Sequence, residues 1–221
     1  SYADTYFSHA DACLMAMHQH IQESGSYAHI SPIDNVSWTV IPQLPSPPPS
    51  VDLFIYTRGD LGLLDRCIGS IRKQTSYPAM NIGFVTDLTE TDRDVDHWFA
   101  TFAADNPASI IVKNQQGETY AVLANRAVAQ SSAEFVVFLN DESVAIQRDW
   151  LKELVSACSR KEVAGASPRL LKPGTNLLEN TGYVLGLNGW RAAAFHGQGN
   201  SKTPGQFDWI DCARDITTLT S

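Results

Sequence analysis

"VDLFIYTRGDLGLLDRCIGSIRKQTSYPAMNIGFVTD" (residues 51–87) places an apolar run, a helical period and a second apolar run in direct succession. "VDLFIYT" reads as a buried strand, because it is short, rich in β-branched and aromatic residues, and ends at Gly and Asp. In "LGLLDRCIGSIRKQ" (61–74), Leu61, Leu64, Ile68 and Ile71 fall at helical spacing, with Asp60 placed to cap the first turn. "NIGFVTD" (81–87) is the next strand. A strand, a helix and a strand in that order predict a parallel pair joined by a right-handed crossover.

The alternation continues beyond residue 87. "DVDHWFATFAADN" (94–106) predicts a helix presenting Val95, Trp98 or Phe99, and Phe102 on one side. "SIIVKN" (109–114) predicts a third strand, and "TYAVLANRAVAQS" (119–131) a helix whose many alanines suit close packing on a sheet. "EFVVFLN" (134–140) predicts a fourth strand. It is followed by a helix carrying Leu151, Leu154, Val155 and Cys158, and "VAGASPRLL" (163–171) is a candidate fifth strand. The fold class expected is α/β, a doubly wound and mostly parallel sheet flanked by helices.

Upstream, "DACLMAMHQHIQES" (11–24) predicts a helix with polar faces. In "NVSWTVI" (35–41), Val36, Trp38 and Val40 alternate with polar residues as in a short strand. "PQLPSPPPS" (42–50) is extended Pro-rich linker. The domain boundary is expected there, with residues 1–50 as an N-terminal extension and residues 51–221 as the main domain.

Composition narrows the function classes. The chain has 221 residues, 43% of them hydrophobic and 18% charged, and a formal net charge of -8 without a basic run. Nucleic-acid binding is therefore disfavoured. No apolar stretch reaches the ~20 residues of a membrane span, and no signal peptide is expected from the opening residues. Cys13, Cys67, Cys158 and Cys212 are widely spaced. They read as reduced cysteines of a cytosolic protein, three of them in core-like settings.

Ligands of a parallel sheet bind at the carboxyl ends of its strands. Here those ends are Thr57 and Arg58, Thr86 and Asp87, Lys113 and Asn114, and the run Asn140, Asp141, Glu142. Two adjacent carboxylates repel unless a cation lies between them, and their hard oxygens suit Mg²⁺ or Mn²⁺. Alternatively they form a solvated turn that caps the next helix. Arg126, with Asn125 in the helix before, is either a grip for phosphate oxygens or a surface cation. The chain lacks the phosphate loop of nucleoside triphosphatases and the Gly-rich turn of dinucleotide oxidoreductases. His18 and His20 are on different helix faces, and no nucleophilic triad can be assembled.

Taken together, these landmarks resemble family 2 glycosyltransferases of the GT-A type, particularly bacterial enzymes of O-antigen or similar polysaccharide biosynthesis. Residues 51–87 look like the family's opening. "NQQGETYAVLANRAVAQSSAEFVVFLNDES" (114–143) resembles its N-x-G-x-x-x-A-x-N segment followed by its acidic metal motif. "VAGASPRLLKPGTNLLENTGYVLGLNGW" (163–190) is similar to the stretch after that motif.

The resemblance implies that Thr57 and Arg58 line the nucleotide pocket and that Asp87, or Thr86 beside it, faces the base. Asn125 and Arg126 would stand near the diphosphate. Asn140 and Asp141 would lie along the nucleotide sugar, with Asp141 and Glu142 holding Mn²⁺ or Mg²⁺. The implied reaction is transfer from a nucleotide-sugar donor, such as dTDP-rhamnose, UDP-hexose or GDP-mannose, to a saccharide or lipid-linked acceptor with inversion. The implied location is cytoplasmic, extending to the inner face of the membrane.

Three departures from the pattern stand out. Tyr56 stands where the family usually has Pro, Thr86 where Asp is frequent, and Glu142 where a final Asp is usual. The family's catalytic base, in a later E-D motif, is expected beyond Ser221, since "RDITTLTS" (214–221) resembles the start of the acceptor half. The alternative reading is a non-catalytic nucleotide-sugar-binding or assembly module that keeps the fold.

Overall fold

The computed structural model describes residues 2–23, 28–32, 38–88, 93–180, 183–187 and 190–193. It begins with helix α1 (Tyr2–Glu23) and strands β1 (Ala28–Pro32) and β2 (Trp38–Pro42), the strands paired antiparallel. Helix α1 is longer than the sequence pattern indicates, and Cys13 on it is exposed rather than core. Only Cys67 is buried among the described cysteines, Cys158 being half-buried. Cys212 and "RDITTLTS" lie outside the described residues.

The chain then alternates through β3 (Val51–Thr57), α2 (Leu61–Gln74), β4 (Met80–Thr86), α3 (Arg93–Asp105), β5 (Ile111–Lys113), α4 (Tyr120–Gln130), β6 (Phe135–Asn140) and α5 (Trp150–Cys158). The four strands form one parallel sheet in the order β5-β4-β3-β6. The α/β class and the parallel sheet flanked by helices are as the sequence predicts. Of the stretch 163–171, only Leu170 and Leu171 form a strand, β7 (Leu170–Leu171), paired antiparallel with β8 (Leu178–Asn180). A further antiparallel pair, β9 (Tyr183–Leu187) and β10 (Trp190–Ala193), follows. By contact density the chain divides into Pro45–Lys152, which contains the parallel sheet, and a second unit of Ser1–Leu44 with Glu153–Thr220.

Alternation along the strands sorts side chains onto two faces. Leu53, Ile55 and Phe84 pack with Leu64, Cys67, Ile68 and Ile71 of α2 and Val95, Phe99 and Phe102 of α3. Phe54, Val85 and Val112 pack with Leu123 and Ala127 of α4. Both faces are covered, so the strands read as near-continuous apolar runs. Burying a side chain such as Phe84 stabilises the fold by about 2–3 kcal/mol. Asp60 caps α2 as expected, its Oδ1 accepting from Leu63 N at 3.0 Å. Gly83 is required by close packing, since a Cβ there would lie 2.7 Å from Ile110 O and 2.8 Å from the Phe54 ring.

Candidate functional site

All four strands run the same way, so their carboxyl ends meet at one edge. Thr57 pairs in register with Thr86, Thr86 with Lys113, and Tyr56 with Asn140. Strand order turns at this edge: β4 and β5 extend to one side of β3, while the chain crosses by α4 to place β6 on the other. A crevice at the ends of β3 and β6 is where such sheets bind ligands.

Thr57 and Thr86 are fully buried, and their hydroxyls shape the loops that leave the strands. Thr57 Oγ1 accepts from Gly59 N at 3.0 Å and Thr86 Oγ1 from Leu88 N at 3.3 Å. Gly59 has a φ of 90°, a conformation that side chains rarely adopt. These turns present the next residues, Arg58 and Asp87, outward.

Asp87 is held from two sides. Tyr56 donates its hydroxyl to Asp87 Oδ2 at 2.6 Å, and Arg58 Nε lies 3.7 Å from the same oxygen. Asp87 Oδ1 has no partner among the described residues. Tyr56 packs edge-on against Tyr120 of α4, with ring centroids 5.0 Å apart. Burial, and next the hydrogen bond to Asp87, raise the Tyr56 pKa. Its proton therefore stays on the phenol.

At the end of β5, Asn114 organises the loop into α4. Its Oδ1 accepts from Gln116 N and Glu118 N, while its Nδ2 donates to Glu118 O. Arg126 reaches back from α4 to this loop, donating to Glu118 Oε2 at 2.6 Å and to Lys113 O at 3.2 Å. Asn125 beside it is exposed. A groove of about 530 Å³ runs here between α3, β5 and α4. Both cations lining it are paired within the fold, Lys113 with Asp96 and Arg126 with Glu118.

The end of β6 differs. Asp141 N donates to Tyr56 O at 3.0 Å, which fixes the turn against β3, and Ser143 N closes it on Asn140 O. Asp141 is only 9% exposed, yet its carboxylate accepts no hydrogen bond among the described residues. Glu142 and Asn140 are exposed beside it. Below the turn lies the Cys67 thiol, 3.9 Å from Asn140 O. Burial first, and the Asp141 charge second, push it up to about 11. It is a neutral packing group.

Among the described residues no three His, Cys, Asp or Glu side chains converge as a metal cage. Asp141 and Glu142 nevertheless fit an ion of the Mg²⁺ class. Such ions take one or two carboxylates from protein and complete their shell with water and substrate phosphates. The Asp141 oxygens are open to solvent and accept from no donor among the described residues, so they are available to such a cation.

Of the residues singled out from sequence, Thr57, Arg58, Thr86, Asp87, Asn140, Asp141 and Glu142 therefore share the ends of β3, β4 and β6. Asn125 and Arg126 stand on α4, with Arg126 tied to the end of β5. The sequence drew no attention to the bonding of Tyr56 with Asp87, or of Arg126 with Glu118. The one available signal was Tyr56 itself, an aromatic residue in a slot where Pro is usual.

The glycosyl transferase family 2 model matches residues 52–206. An uncharacterised protein, y4gI of Sinorhizobium fredii, is 30% identical over 164 residues, covering 74% of this chain and 17% of that protein. The O-antigen biosynthesis protein RfbC of Myxococcus xanthus is 27% identical over 206 residues, covering 90% of this chain and 15% of RfbC. The chain thus spans less than a fifth of either relative. A solved structure of the mannosyltransferase PcManGT from Pyrobaculum calidifontis, in complex with GDP-Man and Mn²⁺, aligns with a TM-score of 0.47 at 20% identity. It covers 56% of this chain and 36% of that one.

Proposed function

The chain belongs to glycosyl transferase family 2, and on that premise we propose that the carboxyl edge of its sheet binds a nucleoside-diphosphate sugar. The reaction this site would serve is transfer of that sugar, with inversion, to a saccharide or lipid-linked acceptor. Kinship with an O-antigen biosynthesis protein supports a polysaccharide product.

The observation that carries this reading is Asp141. The residue is only 9% exposed, yet its carboxylate oxygens stay open to solvent and accept from no donor among the described residues, beside the exposed Glu142 where β3 and β6 end. Asp141 and Glu142 would hold Mn²⁺ or Mg²⁺. When bound, such an ion supplies charge that stabilises the departing diphosphate.

The chain's own residues divide the remaining work. Thr57 and Thr86 fix the two turns that form the walls of the crevice. Asp87 and Arg58 offer an acceptor and a donor to the base. Asn140 stands beside Asp141 on the path to the sugar. Arg126, with Asn125, supplies a cation and an amide at the start of the crevice's far side.

Calorimetric titration of UDP, dTDP and GDP, with and without Mn²⁺, tests this. Mn²⁺-dependent binding of a nucleotide is expected, and its loss in the double variant Asp141→Ala, Glu142→Ala. Absence of binding by every nucleotide, with and without metal, overturns the reading.

A further inference from the structure

We propose that Tyr56 sets the base preference of this donor site, by occupying one oxygen of Asp87 so that the other receives the single imide N–H of a uracil or thymine. The inference rests on the donor-site reading above. It concerns which base the site admits.

The geometry leaves Asp87 asymmetric. Oδ2 accepts the Tyr56 hydroxyl at 2.6 Å and faces Arg58 Nε at 3.7 Å, while Oδ1 has no partner among the described residues. Tyr56 is not free to swing away. Its ring sits edge-on to Tyr120, which in turn packs edge-on against Phe138. Its backbone carbonyl receives Asp141 N, so the same residue joins the two strand ends. Burial and the bond to Asp87 both raise its pKa, so the phenol remains a donor near neutral pH.

Bases differ in what they present to such a carboxylate. Uracil and thymine offer one N–H between two carbonyl oxygens. Oδ1 can take that N–H, and the exposed Arg58 guanidinium can donate to a flanking carbonyl. Guanine offers two adjacent N–H donors and is best met by both carboxylate oxygens. Here Oδ2 already accepts the Tyr56 hydroxyl and faces Arg58, so both its lone-pair directions are crowded and the second guanine donor is poorly satisfied once desolvated. Cytosine and adenine offer an amino group beside a bare ring nitrogen, whose lone pair would face the carboxylate. The expected order is UDP and dTDP first, GDP next, and CDP and ADP last. Tyr56→Phe keeps the ring packing and frees Oδ2 of the phenol, leaving only the looser Arg58 contact at 3.7 Å, which relieves the discrimination against guanine.

The test is titration of the 221-residue chain and of its Tyr56→Phe variant with the five nucleoside diphosphates in the presence of Mn²⁺. Circular dichroism and the urea midpoint would verify that the variant is folded. UDP or dTDP should bind at least about tenfold more tightly than GDP to the wild-type chain, the discrimination of one buried donor left poorly paired. In Tyr56→Phe that ratio should fall to within about threefold. A wild-type preference for GDP, CDP or ADP overturns the inference from the wild-type chain alone. A uracil or thymine preference unchanged in Tyr56→Phe also overturns it. Either result leaves the donor site standing, whereas failure of every nucleotide to bind removes both.

Discussion

Asp52 and Asp141 stand at opposite ends of the same parallel sheet and are almost equally buried, at 6% and 9% exposure. Asp52 lies near the start of β3. Its Oδ1 accepts from Asn81 Nδ2 at 3.2 Å and its Oδ2 from Ser131 Oγ at 2.5 Å. It ties β3 to β4 and to the end of α4. Asp141 lies just past β6 and receives no hydrogen bond on its carboxylate among the described residues. Its oxygens are open to solvent, with the Arg58 charge acting on them, and so remain available to a ligand or cation. The amino edge thus spends its polar groups on holding the sheet together. The carboxyl edge keeps one in reserve.

The comparison breaks most visibly if both acids of the carboxyl edge are removed. Asp141→Ala with Glu142→Ala should weaken Mn²⁺-dependent nucleotide binding by about 100-fold or more, since among the described residues no third His, Cys, Asp or Glu side chain converges with them. Stability in urea should stay nearly unchanged, because the Asp141 carboxylate is open to solvent and accepts no hydrogen bond among the described residues. A large loss of stability instead would place Asp141 in the same structural class as Asp52.

The reciprocal change is Asp52→Ala. It removes the hydrogen bonds to the exposed Asn81 amide and the half-buried Ser131 hydroxyl, and should lower the unfolding free energy by about 1–2 kcal/mol. Nucleotide affinity, measured well below the unfolding midpoint, should not move. A parallel loss of affinity would mean that the two edges are coupled through β3.

A third, smaller effect follows from Cys67, which lies under Asp141. Its thiol is pushed from 9.0 up to about 11, by burial first and by the Asp141 charge second. Below pH 9 the thiol is protonated in both the folded and unfolded chain, so the stability it supports is fully present. Above pH 9 the unfolded chain ionises and the folded one resists until about pH 11, so stability falls across that window. The loss should be on the order of 2 kcal/mol. Urea midpoints between pH 8 and 10.5, in buffer with chelator, should decline more steeply for the wild type than for Cys67→Ala. Asp141→Asn should soften the decline. Parallel curves for all three would remove Cys67 from the account.

The parallel sheet was legible because its strands are buried on both faces. Runs such as "VDLFIYT" and "FVVFLN" are continuous apolar stretches, and the intervening helices carry their core residues at regular spacing. Asp60 marked its helix start with a side chain of the type that caps a first turn, as it does through Leu63 N. The stretch 163–171 was less legible. Its Gly, Pro and Ala residues carry little periodicity, and only Leu170 and Leu171 pair. The position of the carboxyl edge followed from chain direction alone, which explains why Asp87 and Asp141 could be named in advance. What distinguishes Asp141 from Asp52 could not be. Asn81 and Ser131 are 29 and 79 residues from Asp52, and Asp87 is 31 residues from Tyr56. Such pairings arise when the sheet closes, and no local pattern encodes them.

Arg126 is the case between the two aspartates, a charge at the carboxyl edge that already has a partner. It donates to Glu118 Oε2 at 2.6 Å and to Lys113 O, and only part of its surface is open. To bind a diphosphate it would have to leave Glu118, which withholds some of the affinity that a free guanidinium would give. Glu118→Gln keeps the size and a weaker carbonyl acceptor while removing the competing charge. It should cost about 0.5–1 kcal/mol of stability, as expected for a partly exposed ion pair, and tighten nucleotide-diphosphate binding by about two- to threefold. The gain should be absent for the corresponding nucleosides, which carry no phosphate. Equal effects on nucleosides and diphosphates would assign Arg126 to holding the loop from Asn114 to Thr119, making it a structural counterpart of Asp52 rather than a ligand group beside Asp141.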